Sequence, residues 1–201
     1  MDLLFEHTVT VFMAFFAIMN PIANTAVFAG LTGSIDKHDR TKIAIKALMI
    51  TFIIVVVFSL LGKSIFHLFG ITLPALRITG GILVFLVGYH MLQGASSKLH
   101  TSEKVDDSDI AVSPLAVPLL AGPGTIATAM NYSASGGWVE ISITIFVFAI
   151  LCVVTFFCFI FSSKILSVIG ESGLGIITRL MGLILAVIGV QMLIIGAKAV
   201  F

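Results

Sequence analysis

Charge is scarce in this sequence. Of 201 residues only 10% are Asp, Glu, Lys or Arg, while 59% are hydrophobic. Soluble domains carry about 25% charged residues, so this chain lacks the means to cover a water-facing surface. The formal net charge is +1 and no Lys/Arg stripe is present, which removes the electrostatic footprint of a nucleic-acid binder. Cysteine is limited to Cys152 and Cys158, both inside an apolar run. Six residues apart on a helix they point in different directions and do not pair; they read as small core hydrophobes. Catalytic patterns are missing too. There is no His-Glu-x-x-His, no intramembrane aspartate pair and no nucleophilic-serine motif, and the short connections hold no catalytic domain, so no enzyme is expected. "SEKVDDSD" (102–109) is too short and irregular for a calcium loop. The opening "MDLLFEH" lacks a positive n-region, so the first apolar run is expected to be a retained span and not a signal peptide.

What the chain has instead is long apolar runs, with a mean hydropathy of +1.18. A membrane helix needs about 20 apolar residues. Six stretches qualify: 8–32, 43–69, 73–95, 111–136, 139–163 and 174–200. The segment 96–110, "SSKLHTSEKVDDSDI", is a solvated linker between a first unit, 1–95, and a second, 111–201. Lys37, Arg40, Lys42 and Lys46 flank the first connection, Lys98 and Lys104 the third, Lys164 and Arg179 the fifth. Only Lys63, Arg77 and Lys198 fall on the other side. The positive-inside rule then puts the linker in the cytoplasm and both termini outside, on a multi-pass membrane protein. Trp138 fits an aromatic anchor at the interface.

The two units resemble each other. With an offset of 101, "GILVFLVGYHML" (81–92) falls on "GLILAVIGVQML" (182–193), matching Gly81 to Gly182 and Gly88 to Gly189. Lys63 falls on Lys164; at an offset of 102, Pro21 falls on Pro123 and Arg77 on Arg179. A three-helix unit written twice enters the membrane the second time from the opposite side, which is an inverted-topology repeat. The fold expected is therefore an all-α membrane protein: six transmembrane helices in two inverted three-helix repeats. The glycines at seven-residue spacing read as a smooth strip for helix packing.

Helices 1 and 4 are each broken near the midplane. "NPIANT" (20–25) interrupts the first span and "AGPGT" (121–125) the fourth. Ser113-Pro114 reads as the capped start of the fourth span, which puts its break about 12 Å along the helix. Proline removes a donor and obstructs the carbonyl four residues back, and the freed groups cost several kcal/mol each in hydrocarbon unless satisfied. Paired breaks bring together starting helix ends, which favour an anion, and finishing ends, which favour a cation. No charged side chain falls near the centre of any span, so the site expected suits a small zwitterion. The candidate binding residues are Asn20, Pro21, Asn24, Thr25, Gly122, Pro123, Gly124, Thr125 and Thr128. Small neighbours such as Ala23, Ala26 and Ala127 confine it to a compact substrate. Two proline kinks with no ligand are the plain structural alternative.

Together "NPIANTAVFAGLTG", "LRITGGILVFLVGYHML", "PLAVPLLAGPGTIA" and "ITRLMGLILAVIGVQML" resemble the MarC family of bacterial and archaeal membrane proteins. The resemblance implies six helices in the inner membrane and transport of small neutral amino acids such as alanine and glycine, the activity attributed to some members. It marks Asn20 and Pro21 in the first break and Gly122, Pro123, Gly124 and Thr125 in the second. Where many members have glycine two positions after the first proline and another proline soon afterwards, this chain has Ala23 and Ala26.

Arg77 and Arg179, at mirrored helix starts, are candidates for gates or interfacial anchors. His90 and Gln191 are candidates for lining a path, with a polar helix-end role as the plainer reading. Glu6 and Glu140 are the candidate carboxylates for proton coupling on the outer side, with simple exposure as the plainer reading. The expected function is an alternating-access carrier of small neutral amino acids; the alternatives are a channel or exporter for another small solute, or a non-transporting membrane subunit. No cofactor or metal is expected, and the residues leave Na+ coupling, H+ coupling and uncoupled exchange open. The partners expected are a zwitterionic substrate and the lipid bilayer.

Overall fold

In a computed structural model the described residues are 2–33, 35–70, 72–93, 115–116, 119–134 and 137–200. They are helical throughout, with no strand among them. Seven helices follow in order: α1 (Asp2–Met19), α2 (Pro21–Leu31), α3 (Lys37–Phe69), α4 (Leu73–Leu92), α5 (Pro123–Ala134), α6 (Trp138–Ile160) and α7 (Ser162–Lys198). Among the described residues, five stretches are long and apolar enough to cross a membrane: Phe5–Leu31, Lys37–Gly62, Leu73–Leu92, Trp138–Ile160 and Ser172–Lys198. Of the expected fourth span, α5 supplies the second half. At 12 residues it is about 18 Å long, too short to cross alone. Most of its first half, the Ser113-Pro114 start and the 96–110 linker lie outside the described residues.

One connection differs from expectation. The segment between the fifth and sixth expected spans is helix, not loop: Ile165 N–H donates to the Phe161 carbonyl at 3.0 Å, so α7 begins within a turn of α6. The reversal comes later, at Gly170, whose φ of 66° only glycine adopts without strain. On the other unit Gly70 occupies the same left-handed region (φ 64°) between α3 and α4.

Many polar groups of the helices are satisfied within them; among the described residues His7 Nε2, Asn20 Nδ2, Ser59 Oγ and Ser133 Oγ are buried without a partner. The hydroxyls of Thr51, Thr144 and Thr155 each donate to the carbonyl one turn back, at 2.7–2.8 Å, which spends the hydroxyl inside its own helix. Packing is densest around the broken first span. In its most apolar stretch 56% of residues are enclosed, against 28–33% in the other four. Val11, Phe15 and Met19 of α1 join Phe28 of α2 in one cluster with Phe148, Leu151 and Phe159 of α6. Phe28 stacks on Phe159 at 4.4 Å between ring centres. The outward faces, with Phe146, Val153, Phe157 and Val187 more than half exposed, remain apolar, as lipid requires.

Helices α4 and α7 form the most extensive pair in the structure, and glycine makes that possible. A Cβ on Gly81 would lie 2.7 Å from the Gly189 carbonyl oxygen, and one on Gly182 would lie 2.7 Å from that of Gly88. A Cβ on Gly88 would meet the Ala186 nitrogen at 2.5 Å, and one on Gly189 the Phe85 nitrogen at 2.5 Å. Each contact becomes another when 101 is added to one partner and subtracted from the other. Backbone touches backbone at both places, with no flexible side chain to yield.

Gly88→Ala and Gly189→Ala should therefore each destabilise the protein by about 1–3 kcal/mol. Gly175→Ala, also in α7 but with nothing within 4 Å of the added carbon, should be neutral or stabilise by up to about 1 kcal/mol. Thermal denaturation of the three variants in detergent checks this; equal losses in all three would contradict the close contact.

Candidate functional site

The first break is built by the residue before a proline. Pro21 opens α2 and has no N–H, and its ring pushes the preceding residue out of the helical region. That residue, Asn20, has φ 39° and ψ 71° and is the one non-glycine with positive φ among the described residues. Asparagine tolerates this conformation better than most residues because its side chain hydrogen-bonds locally. Here Asn20 Oδ1 accepts from the Ala23 N–H at 3.2 Å, capping α2. One turn on, the Asn24 side-chain amide donates to the Met19 carbonyl at the end of α1. Each amide side chain thus satisfies one backbone group that the break sets free. One group remains: Asn20 Nδ2 is buried with no hydrogen-bond partner, a vacancy that costs about 1–3 kcal/mol.

The second break repeats the device with glycine. Pro123 again takes the first helical position. The first intrahelical bond of α5 runs from Ile126 N–H to the Gly122 carbonyl at 3.1 Å, so the amides of Gly124 and Thr125 precede the ladder. Just upstream the helix widens: Ala121 N–H reaches back five residues to the Ala116 carbonyl at 2.8 Å, a π-type turn. The two breaks touch. A Cβ on Gly124 would lie 2.6 Å from Ile18 Cδ1, the movable tip of a side chain at the end of α1, so α5 starts close against α1.

Between them lies a cavity of about 150 Å³, room for about five waters at liquid volume. Ile18, Met19, Asn20, Ala23 and Asn24 line it from the first break, Leu119 and Gly122 to Thr125 from the second, and Val87, His90 and Met91 from α4. No Asp, Glu, Lys or Arg lines it, and His90 is its one titratable side chain. The space is small, uncharged and supplied with unpaired donors at two helix starts.

Comparison with known proteins agrees with the motifs. The family model described as "MarC family integral membrane protein" matches residues 5–201. The chain belongs to the MarC family. Among curated relatives it is 39% identical to the membrane protein YvbG of Bacillus subtilis, over 99% of this chain and 98% of the relative. It is 36% identical to a membrane protein of Methanocaldococcus jannaschii over 98% of each. To the inner membrane protein MarC of Salmonella paratyphi A it is 33% identical, over 89% and 88%. No solved structure matches the chain.

In this MarC-family chain six of the nine expected binding residues line the cavity: Asn20, Asn24, Gly122, Pro123, Gly124 and Thr125. Pro21, Thr25 and Thr128 do not. Pro21 is buried in the wall. Thr25 is about 100° around α2 from Asn24, and its hydroxyl donates to the Pro21 carbonyl at 2.7 Å. Thr128 lies almost a full turn beyond Thr125 and is 1% exposed. The two arginines have different surroundings. Half-buried Arg77 donates from Nε to Asn131 Oδ1 at 3.0 Å, tying α4 to α5; Arg179 is exposed. Of the two helix-end polar residues, Gln191 is exposed on α7 and His90 lines the cavity. Glu6 is exposed, whereas half-buried Glu140 accepts from the Gly137 N–H at 2.7 Å at the start of α6. Sequence reasoning missed the rest of the α4 wall and Asn131. The signal for the wall was its spacing, since Val87, His90 and Met91 recur at three and four residues beside the Gly81/Gly88 strip.

Asn20 serves the backbone and the cavity separately, and two substitutions divide the roles. Asn20→Gly keeps the left-handed conformation and costs a few tenths of a kcal/mol as a cap. Asn20→Ala loses the cap and strains the backbone, and should cost at least about 1 kcal/mol more. Paired thermal melts in detergent check the difference; equal stability would show that neither cap nor strain matters.

Proposed function

We propose that this protein is a secondary transporter of small neutral amino acids, with the cavity between the two breaks as its substrate site. The observation that carries this reading is that breaks from opposite halves of the chain share one small cavity with no acidic or basic residue in its lining. A zwitterion matches what the walls offer. Its carboxylate would meet the starts of α2 and α5, where each helix presents roughly half a positive charge, together with Asn20 Nδ2. Its ammonium would meet the finishing carbonyls of α1 and of the segment before Gly122. Met19 has a second lone pair available beside the Asn24 bond. The limited volume favours alanine or glycine over larger side chains.

Alternating access fits an inverted repeat of two three-helix units, six spans in all. Support comes from the equivalent positions of Pro21 and Pro123, the paired left-handed glycines Gly70 and Gly170, and the reciprocal glycine contacts of α4 and α7. The Lys/Arg bias favours an inner membrane protein with both termini periplasmic, and the Salmonella relative bears the name of an inner membrane protein.

Counterflow in proteoliposomes tests the reading, with labelled alanine outside and unlabelled alanine inside. Wild type should accumulate label saturably; Asn20→Gly, which removes Nδ2, should lose at least tenfold in rate, the loss of one charge-assisted hydrogen bond. Flux without exchange would favour a channel. Neither flux nor exchange from folded protein would favour a non-transporting subunit.

A further inference from the structure

A second cavity lies at the other end of α2, eight residues or about 12 Å from the first break. Its volume is about 430 Å³. Lys37 and Arg40 project into it from the first turns of α3, and Lys164 from the first turn of α7. No carboxylate lines it. The one ion pair among the described residues joins Lys42 to Asp39, outside the cavity, at 2.9 Å. Asp36, just before α3, is exposed and outside the lining. Three cations therefore converge with no counter-charge supplied by the described residues.

Arg40 is held in place. Its Nη2 donates to the Ser162 hydroxyl at 2.9 Å, and its guanidinium sits 5.8 Å from the centre of the Phe28 ring, which is braced against Phe159. A fixed guanidinium has five donors in all, so several remain for a ligand. Bidentate geometry of this kind suits phosphate. Lys37, one turn before Arg40, lies on the same helix face. The rim, by contrast, is apolar: Ile160 is 39% and Phe161 50% exposed, on the outward side of the bundle.

We propose that this cavity binds the headgroup of an acidic phospholipid, its phosphodiester held by Lys37, Arg40 and Lys164 and its acyl chains running along Ile160 and Phe161. The apolar rim favours a lipid over a free phosphate, which has no use for it. The Arg40–Ser162 bond puts the basic first and fifth connections at one end of the bundle, the end that the positive-inside rule assigns to the cytoplasm. Anionic lipids attract basic segments at that surface. The bound headgroup bridges α3 and α7. The inference stands on its own and does not require the transport reading.

Native mass spectrometry of the detergent-solubilised protein, titrated with phosphatidylglycerol or phosphatidylcholine, tests it. Wild type should retain one phosphatidylglycerol in preference to phosphatidylcholine. The double variant Lys37→Ala/Lys164→Ala removes two exposed cations and no packing, and should weaken that binding roughly 30-fold, about fivefold per cation. Lys37→Arg/Lys164→Arg should restore it, and Lys46→Ala, an exposed lysine near the same end but outside the cavity, should leave it within about twofold. Equal retention of both lipids would overturn the proposal. So would unchanged binding by the double alanine variant, or an equal loss in Lys46→Ala, which would mean diffuse surface charge. Displacement of the lipid by inorganic phosphate at equal concentration would assign the cavity to a free anion instead.

Discussion

A backbone N–H or carbonyl in hydrocarbon has no water to turn to, and the centre of this protein is arranged around that constraint. Breaking a helix within an apolar span is tolerable only if something takes up the groups the break releases. At the first break the chain uses two asparagines, one reaching forward to Ala23 and one back to Met19. At the second it uses proline, which carries no N–H to satisfy, with Gly124 packed against the Ile18 side chain of α1. Elsewhere the threonines of the spans return their hydroxyls to their own helices; the other buried unpaired side-chain atoms among the described residues, on His7, Ser59 and Ser133, lie away from the breaks. What is left at the breaks is Asn20 Nδ2 and the first amides of α5. A cavity bounded by leftover donors and finishing carbonyls is chemically different from a void lined by leucine: it favours polar contents, water or a polar ligand.

That chemistry depends on a rigid wall. Helix α4 presents Gly81 and Gly88 to α7 and Val87, His90 and Met91 to the cavity. Glycine contact removes the play that longer side chains would leave between two helices, so the position of α7 fixes the position of the cavity wall. The packing strip and the site are consequently two faces of one helix. A carbon added on the glycine face should be felt at the site even though no glycine of the strip touches it.

The sequence made the spans legible because apolar length and proline position are local signals. The breaks fell where Pro21 and Pro123 put them, and the half-helices start at those prolines. Which side chains meet inside was less legible. Thr25 and Thr128 satisfy the same composition rule as Thr125, but helical rotation and depth remove them from the cavity. Those are properties of packing, which no single segment encodes. His90 read first as a helix-end residue and second as lining a path; the broken span beside it brings the cavity to that end of α4. The helical start of α7 was missed for a related reason. Lys164 and the serines around it resemble a loop, while the reversal is delegated to Gly170.

Arg77 and Arg179 paired naturally in the sequence, yet their surroundings differ. The closer structural counterpart of Arg77 is Arg40. Each contacts a half-helix at the end remote from the cavity: Arg77 binds Asn131 near the finish of α5, and Arg40 lies over Phe28 near the finish of α2. Asn131 is nine residues beyond Gly122, and Phe28 eight beyond Asn20, so the two ties sit at matching distances from their breaks. A half-helix pinned at its far end and joined at its near end by few bonds, Asn24 N–H to the Asn20 carbonyl in α2 and Ile126 N–H to the Gly122 carbonyl in α5, is softest at the break itself. Motion in the transport reading would then be a pivot of α2 and α5 about their arginine contacts. Such a pivot moves the starting ends, and the donors they carry, by the largest amount where a substrate would sit.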